Sequence, residues 1–169
     1  MKINITKLEQ TDCFAKILAD YIQSSDELNI VYLEGNLGAG KTTLVRYVLR
    51  HMGWTGSVKS PTFSILEEYA INDHEIFHAD LYRIDGENDF EMLGLEISEN
   101  KKVTLFIEWP NKISKFNLGN EIFLSLIIDK QVRTLEIRTE CKKFLRCIDR
   151  VNINTVSYTH LTLPTKRIV

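Results

Sequence analysis

The residues best suited to chemistry form one unbroken run, Gly35-Asn36-Leu37-Gly38-Ala39-Gly40-Lys41-Thr42, which fits G-x-x-x-x-G-K-[ST] at every fixed position. Glycines let the backbone turn inside out, so that successive N–H groups point into one concavity, and a helix starting at Lys41 adds the positive end of its dipole. Such a cradle suits the α- and β-phosphates of a nucleotide. Lys41 then reaches the β- and γ-phosphates as a point charge, and the Thr42 hydroxyl fills one position of an octahedral Mg²⁺ shell. By average residue usage the four fixed positions coincide by accident in roughly one chain of this length in a few hundred.

Phosphoryl transfer also needs a second magnesium anchor and a group to orient the attacking oxygen. Two acids stand where apolar runs end: Asp80 after Ile76-Phe77-His78-Ala79, and Glu108 after Leu105-Phe106-Ile107. Ligands of open α/β sheets gather at the carboxyl ends of strands, so both acids are expected to face the glycine loop. Either one alone reads more often as a solvated strand terminus. Beside a glycine loop the weighting reverses. Asn111-Lys112-Ile113-Ser114 lacks the final carboxylate of the guanine-reading N-K-x-D, and Asp80-Leu81-Tyr82-Arg83 ends in arginine where a D-x-x-G switch ends in glycine. An adenine nucleotide is therefore expected. No segment concentrates arginines as the lid of a small-molecule kinase does.

The elements that must position these groups follow from periodicity. Lys2 to Thr6 alternates as a short strand, and Thr11-Asp12 offers a cap for a helix carrying Phe14, Ile17, Leu18, Tyr21 and Ile22. Asn29 to Leu33 is a buried parallel strand leading straight into the glycine loop, and Thr42 to Met52 is the helix after it, stopped by Gly53. Thr62 to Tyr69 and Glu75 to Leu81 read as an antiparallel hairpin, Asp89 to Leu93 as a short helix and Val103 to Ile107 as a second buried strand. Ile122 to Ile128 and Val132 to Thr139 form another hairpin, and Lys142 to Arg150 a last helix. The expected fold is α/β, a P-loop NTPase-like single domain with a mixed parallel and antiparallel sheet flanked by helices.

Composition agrees. At 169 residues and 19.6 kDa, with 44% hydrophobic and 26% charged residues, the chain suits one folded domain. A net charge of -2 and pI near 6.1 give no global footprint for phosphate-backbone binding. Apolar runs are strand-sized, far short of the ~18 residues of a membrane span. The first residues lack an apolar signal core, and Cys13, Cys141 and Cys147 lack C-x-x-C spacing, so a reducing cytoplasm is expected. Residues 157–169 break register with all that precedes; they read either as translated adapter or vector sequence appended to residues 1–156, or as a polar tail.

Taken in order, Gly35 through Thr43, Val58-Lys59-Ser60-Pro61-Thr62-Phe63, His78-Ala79-Asp80-Leu81-Tyr82-Arg83, Gly94-Leu95-Glu96 and Ile107-Glu108-Trp109-Pro110 resemble the TsaE family, formerly YjeE. These are bacterial P-loop ATPases of tRNA threonylcarbamoyladenosine biosynthesis. The glycine loop is generic, whereas S-P-T-F, D-L-Y-R and E-W-P in this order are specific, and together the motifs span about residues 10 to 140. The resemblance implies an ATPase that takes ATP/ADP and Mg²⁺ and works with TsaD-like and TsaB-like subunits. Their joint product is the threonylcarbamoyl group on N6 of adenosine 37 in tRNAs reading ANN codons, with tRNA met indirectly through the complex.

The resemblance also implies roles. Asp80 is the magnesium-side acid, Glu108 acts on the hydrolytic water beside the metal, Ser60 to Thr62 is a switch near the γ-phosphate, and Trp109 lies beside the nucleotide with Thr43. Asn36 stands where the family usually has aspartate, a position that phosphate binding does not require. Two other readings stay open: a nucleotide-dependent binding module with incidental hydrolysis, and a small-molecule kinase. His51, His74, His78 and His160 lack mutual metal spacing and are expected as surface or satisfied side chains. Lys142, Arg146 and Arg150 share a helical face, either for tRNA or an acidic partner or simply solvated, and Tyr82 is either a partner anchor or core.

Overall fold

The computed structural model describes residues 1–95 and 102–150. In chain order the elements are β1 (Lys2–Asn4), α1 (Leu8–Gln23), β2 (Asn29–Glu34), α2 (Lys41–His51), β3 (Leu66–Ile71), β4 (His74–Asp80), α3 (Glu87–Glu91), β5 (Lys102–Glu108), β6 (Asn120–Asp129), β7 (Val132–Thr139) and α4 (Lys142–Asp149). The strands build one sheet in the order β1-β7-β6-β2-β5-β4-β3. Its centre is parallel, β2 pairing with β5 and β6 and β4 with β5; both hairpins and the β1–β7 edge are antiparallel.

β2 shows why this sheet has α1, α2 and α4 on one face and loops with the short α3 on the other. Its run Ile30-Val31-Tyr32-Leu33 is buried throughout, and the two-residue period of a strand sends alternate side chains to opposite sides. Val31 and Leu33 join the core made with Phe14 and Leu18 of α1, Leu44 and Val48 of α2 and Phe144 of α4. Ile30 and Tyr32 join a second core with Phe77, Leu105 and Ile107, closed by Leu81, Ile84 and Phe90. Each such side chain contributes roughly 1.5–3 kcal/mol by leaving water.

Two boundaries differ from the sequence expectation. α1 begins at Leu8, ahead of the Thr11-Asp12 cap, because the Gln10 side chain turns back to accept from the Lys7 N–H at 3.0 Å, as in half of a capping box. Thr11 instead points inward and donates to the Ile5 carbonyl at 3.4 Å. β3 begins at Leu66 rather than Thr62: residues 61–64 are turn, and Ile65 adopts φ 66°. Pro61 offers no N–H to a ladder, and the Thr62 hydroxyl is drawn to the Asp80 carboxylate instead. The remaining expected elements are present with small shifts at their ends. No helix among the described residues is long and apolar enough to cross a membrane. Glu96, His160 and the segment 157–169 lie outside the described residues.

Candidate functional site

The site is assembled at the carboxyl ends of β2, β4 and β5. Between β2 and α2 the glycine loop passes close beneath β6: a Cβ at Gly35, where φ is 146°, would stand 2.7 Å from the Leu126 carbonyl oxygen. Gly40, at φ 106°, caps α2, and its carbonyl accepts the first helical hydrogen bond from the Leu44 N–H at 2.9 Å. Leu37, Gly38, Gly40, Lys41, Thr42 and Thr43 line a cleft of about 240 Å³. Gly35, Asn36 and Ala39 shape the loop without lining that cleft. Ala39 is buried, and the carbonyls of Gly35 and Asn36 accept from Lys41 Nζ at 2.7 and 3.2 Å.

Lys41 is 5% exposed, and burial pushes its pKa down from the ordinary lysine value while Glu108 and Asp80 pull it back up. Its ammonium sits 4.1 Å from the centre of the Trp109 ring. Trp109 reaches that position by a left-handed backbone, φ 59° and ψ 51°, directly after β5, a conformation that costs a side-chain-bearing residue roughly 1–2 kcal/mol. The ring also leans on Tyr82 at 5.1 Å between centres, so Tyr82 is an exposed part of the cleft rim and not core.

Asp80 and Glu108 are register partners across the parallel β4–β5 ladder, which sets the two acids side by side at the mouth of the loop. Glu108 Oε1 accepts from the Thr42 hydroxyl at 2.8 Å and from His78 Nε2 at 2.9 Å. Asp80 Oδ2 accepts from the hydroxyls of Ser60 at 3.1 Å and Thr62 at 2.8 Å, and Oδ1 accepts from the Tyr82 N–H at 3.0 Å. The expected residues Lys41, Thr42, Thr43, Ser60, Thr62, Asp80, Glu108 and Trp109 therefore meet in one cleft.

A hydroxyl and two carboxylates form an all-oxygen donor set, which fits a hard cation such as Mg²⁺. No group of three or more His, Cys, Asp and Glu side chains is arranged around a metal position among the described residues. A larger groove of about 1000 Å³, running past Lys115, Phe123 and Arg138, contains none of these residues.

His78 was not expected at the site. It is buried against Glu108, and the one signal in the sequence was its place two residues before Asp80 on one strand, which puts both on the same face of the sheet. The other described histidines are satisfied locally, His51 by Asp12 and His74 by Asp73 and the Ile22 carbonyl. Lys142, Arg146 and Arg150 are exposed.

The sequence model of the family described as threonylcarbamoyl adenosine biosynthesis protein TsaE matches residues 5–139. A protein of Haemophilus influenzae named tRNA threonylcarbamoyladenosine biosynthesis protein TsaE is 42% identical over 124 residues, covering 73% of this chain and 77% of that protein. Its namesake in Rickettsia conorii is 39% identical over 137 residues, covering 80% of this chain and 76% of the relative. Among solved structures, the crystal structure of YdiB from Bacillus subtilis superposes with a TM-score of 0.61 at 21% identity, covering 89% of this chain and 92% of the other, a likeness of fold. The chain belongs to the TsaE family of tRNA threonylcarbamoyladenosine biosynthesis proteins.

Proposed function

We propose that this chain binds ATP with Mg²⁺ and hydrolyses it as the ATPase subunit of a cytoplasmic tRNA-modifying assembly. The observation that carries the reading is the 2.8 Å hydrogen bond from Thr42 to Glu108, with Asp80 beside Glu108 in register: one loop residue and two strand-end acids share a single cleft. Loop N–H groups and Lys41 would take the phosphates, for which Lys41 would exchange its present loop carbonyls. Thr42, Asp80 and Glu108 would hold Mg²⁺, which when bound neutralises developing charge on the phosphate oxygens. Glu108 would orient and polarise the attacking water, and Trp109 would cover the site.

The partners we propose are TsaD-like and TsaB-like subunits, with tRNA reached through them. An exposed apolar rim supports docking beside the cleft: Leu37 is 82% and Phe63 85% exposed, and the Arg83 guanidinium lies 4.4 Å over the Phe63 ring. The test is a reconstituted assay of threonylcarbamoyladenosine in tRNA, without and then with this chain, while ATP consumption is followed. The expected result is modification that requires the chain, with ATP turnover raised by the partner subunits. Modification that proceeds at full rate without the chain overturns the proposal. ATP loss matched by a phosphorylated metabolite instead means a kinase.

A further inference from the structure

Glu108 is 3% exposed, and a buried carboxylate is costly unless donors meet it. Both donors described above land on the same oxygen, Oε1, leaving Oε2 with neither. An ionised carboxylate only accepts, so His78 Nε2 carries the proton in this bond. His78 is 0% exposed, and among the described residues its Nδ1 has no hydrogen-bond partner. A buried lone pair without a partner is better tolerated than a buried N–H without one, which favours the neutral Nε2–H tautomer.

The two donors have different obligations. On the ATPase reading, on which this inference rests, the Thr42 hydroxyl is also wanted by Mg²⁺. Among the described residues nothing competes for His78, whose Nε2 bonds Glu108 and whose Nδ1 has no partner there. Its strand makes it a firm support, because β4 is locked between β3 and β5, and Phe106, its register partner, lies two residues before Glu108 on the same face. We propose that His78 is a positioning residue that holds Glu108 Oε1 through Nε2–H, so that Oε2 keeps its aim whichever partner Thr42 engages.

Two substitutions and one spectrum test this. His78→Gln keeps an N–H near the position of Nε2, and His78→Leu removes it at similar volume. For His78→Leu, kcat should fall roughly 10- to 100-fold, the usual loss when a supporting partner of an active-site ligand is removed. Its KM and its calorimetric Kd for ATP should stay near wild type, and His78→Gln should restore most of kcat. Long-range ¹H–¹⁵N spectra should show His78 as the Nε2–H tautomer, with that proton shifted in Glu108→Gln. The proposal is overturned by unchanged kcat in His78→Leu, by parallel loss of kcat and ATP affinity, or by an Nδ1–H tautomer. Should His78→Leu fail to fold, the His78→Gln kinetics and the wild-type spectrum decide. Absence of wild-type turnover with partners present would overturn the ATPase reading instead, and the spectrum would still decide whether His78 holds Glu108.

Discussion

Asp80 and Glu108 stand opposite each other in one ladder and are equally buried, yet they are held by different parts of the molecule. Glu108 is gripped by the frame: Thr42 at the start of α2 and His78 in the middle of β4. Asp80 is gripped by a turn at the surface, through Ser60, which is exposed, and Thr62, which is half-buried. Neighbouring acids can thus have opposite mechanical character. One is fixed by packed elements, and the other is tied largely through two hydroxyls of a turn, whose neighbours Val58 and Pro61 are buried.

The heaviest blow should erase the contrast. Lys41→Ala removes the cation that both acids face, and losing one partner of a buried charged contact costs about 2–5 kcal/mol, so ATP affinity should drop roughly 30- to several-thousand-fold and hydrolysis should collapse with it. Calorimetry that gives wild-type affinity would remove the loop from the site. Next, Glu108→Gln keeps the shape but loses the charge. Turnover should fall by the ~10²–10⁴-fold of a missing general base, while ATP still binds. Normal turnover with partners present would reduce Glu108 to a strand end.

The turn side of the comparison should be milder. In Ser60→Ala combined with Thr62→Val, Asp80 keeps the Tyr82 N–H, so turnover should fall about 10-fold, the low end for supporting contacts. Stability should fall by roughly 1.5–3 kcal/mol, because the lost bonds end on a charged carboxylate that is 3% exposed. A loss as large as that of Glu108→Gln would mean that the turn belongs to the frame.

A subtler effect concerns pH. Because burial depresses the Lys41 pKa, the unfolded chain holds a proton that the folded one has released over the interval from the depressed value up to the ordinary 10.5. Stability gains from this residue as pH rises through that interval. Lys41→Met should lack the gain, so the melting-point difference between wild type and variant should move in favour of wild type from pH 7 to pH 10; a constant difference would contradict burial as the dominant cause.

The smallest effect belongs to neither acid. We propose that residues 157–169 are appended sequence, so truncation after Thr155 should alter stability by less than about 0.5 kcal/mol. A loss of several degrees or of ATPase rate would make the segment part of the fold.

The sequence exposed one half of this contrast more readily than the other. The glycine loop, Asp80 and Glu108 were legible because spacing and strand ends are local signals, and the central parallel strands were legible from runs such as Asn29 to Leu33. The turn at residues 61–65 was not. Pro61 marks a break, but Thr62, Phe63 and Ile65 have strand-like composition, and the chain stays out of the sheet as far as Ile65 while the hydroxyls of Ser60 and Thr62 bond a carboxylate far along the chain. His78 was equally hidden as a support, since its partner lies 30 residues away on another strand. A lone histidine inside an apolar run carries no mark of what it will touch.

The strand order has a consequence for the time course of folding. β2 is made early, but its two neighbours, β5 and β6, lie beyond residue 101. During synthesis a strand apolar on both faces waits without a ladder, and the sheet closes around it only after most of the chain has emerged. Such non-local pairing slows folding and lengthens exposure to aggregation. The glycine loop is translated well before Glu108 and the supporting backbone of Leu126, which lie about 65 to 90 residues further along, so the phosphate cradle is written first and finished later.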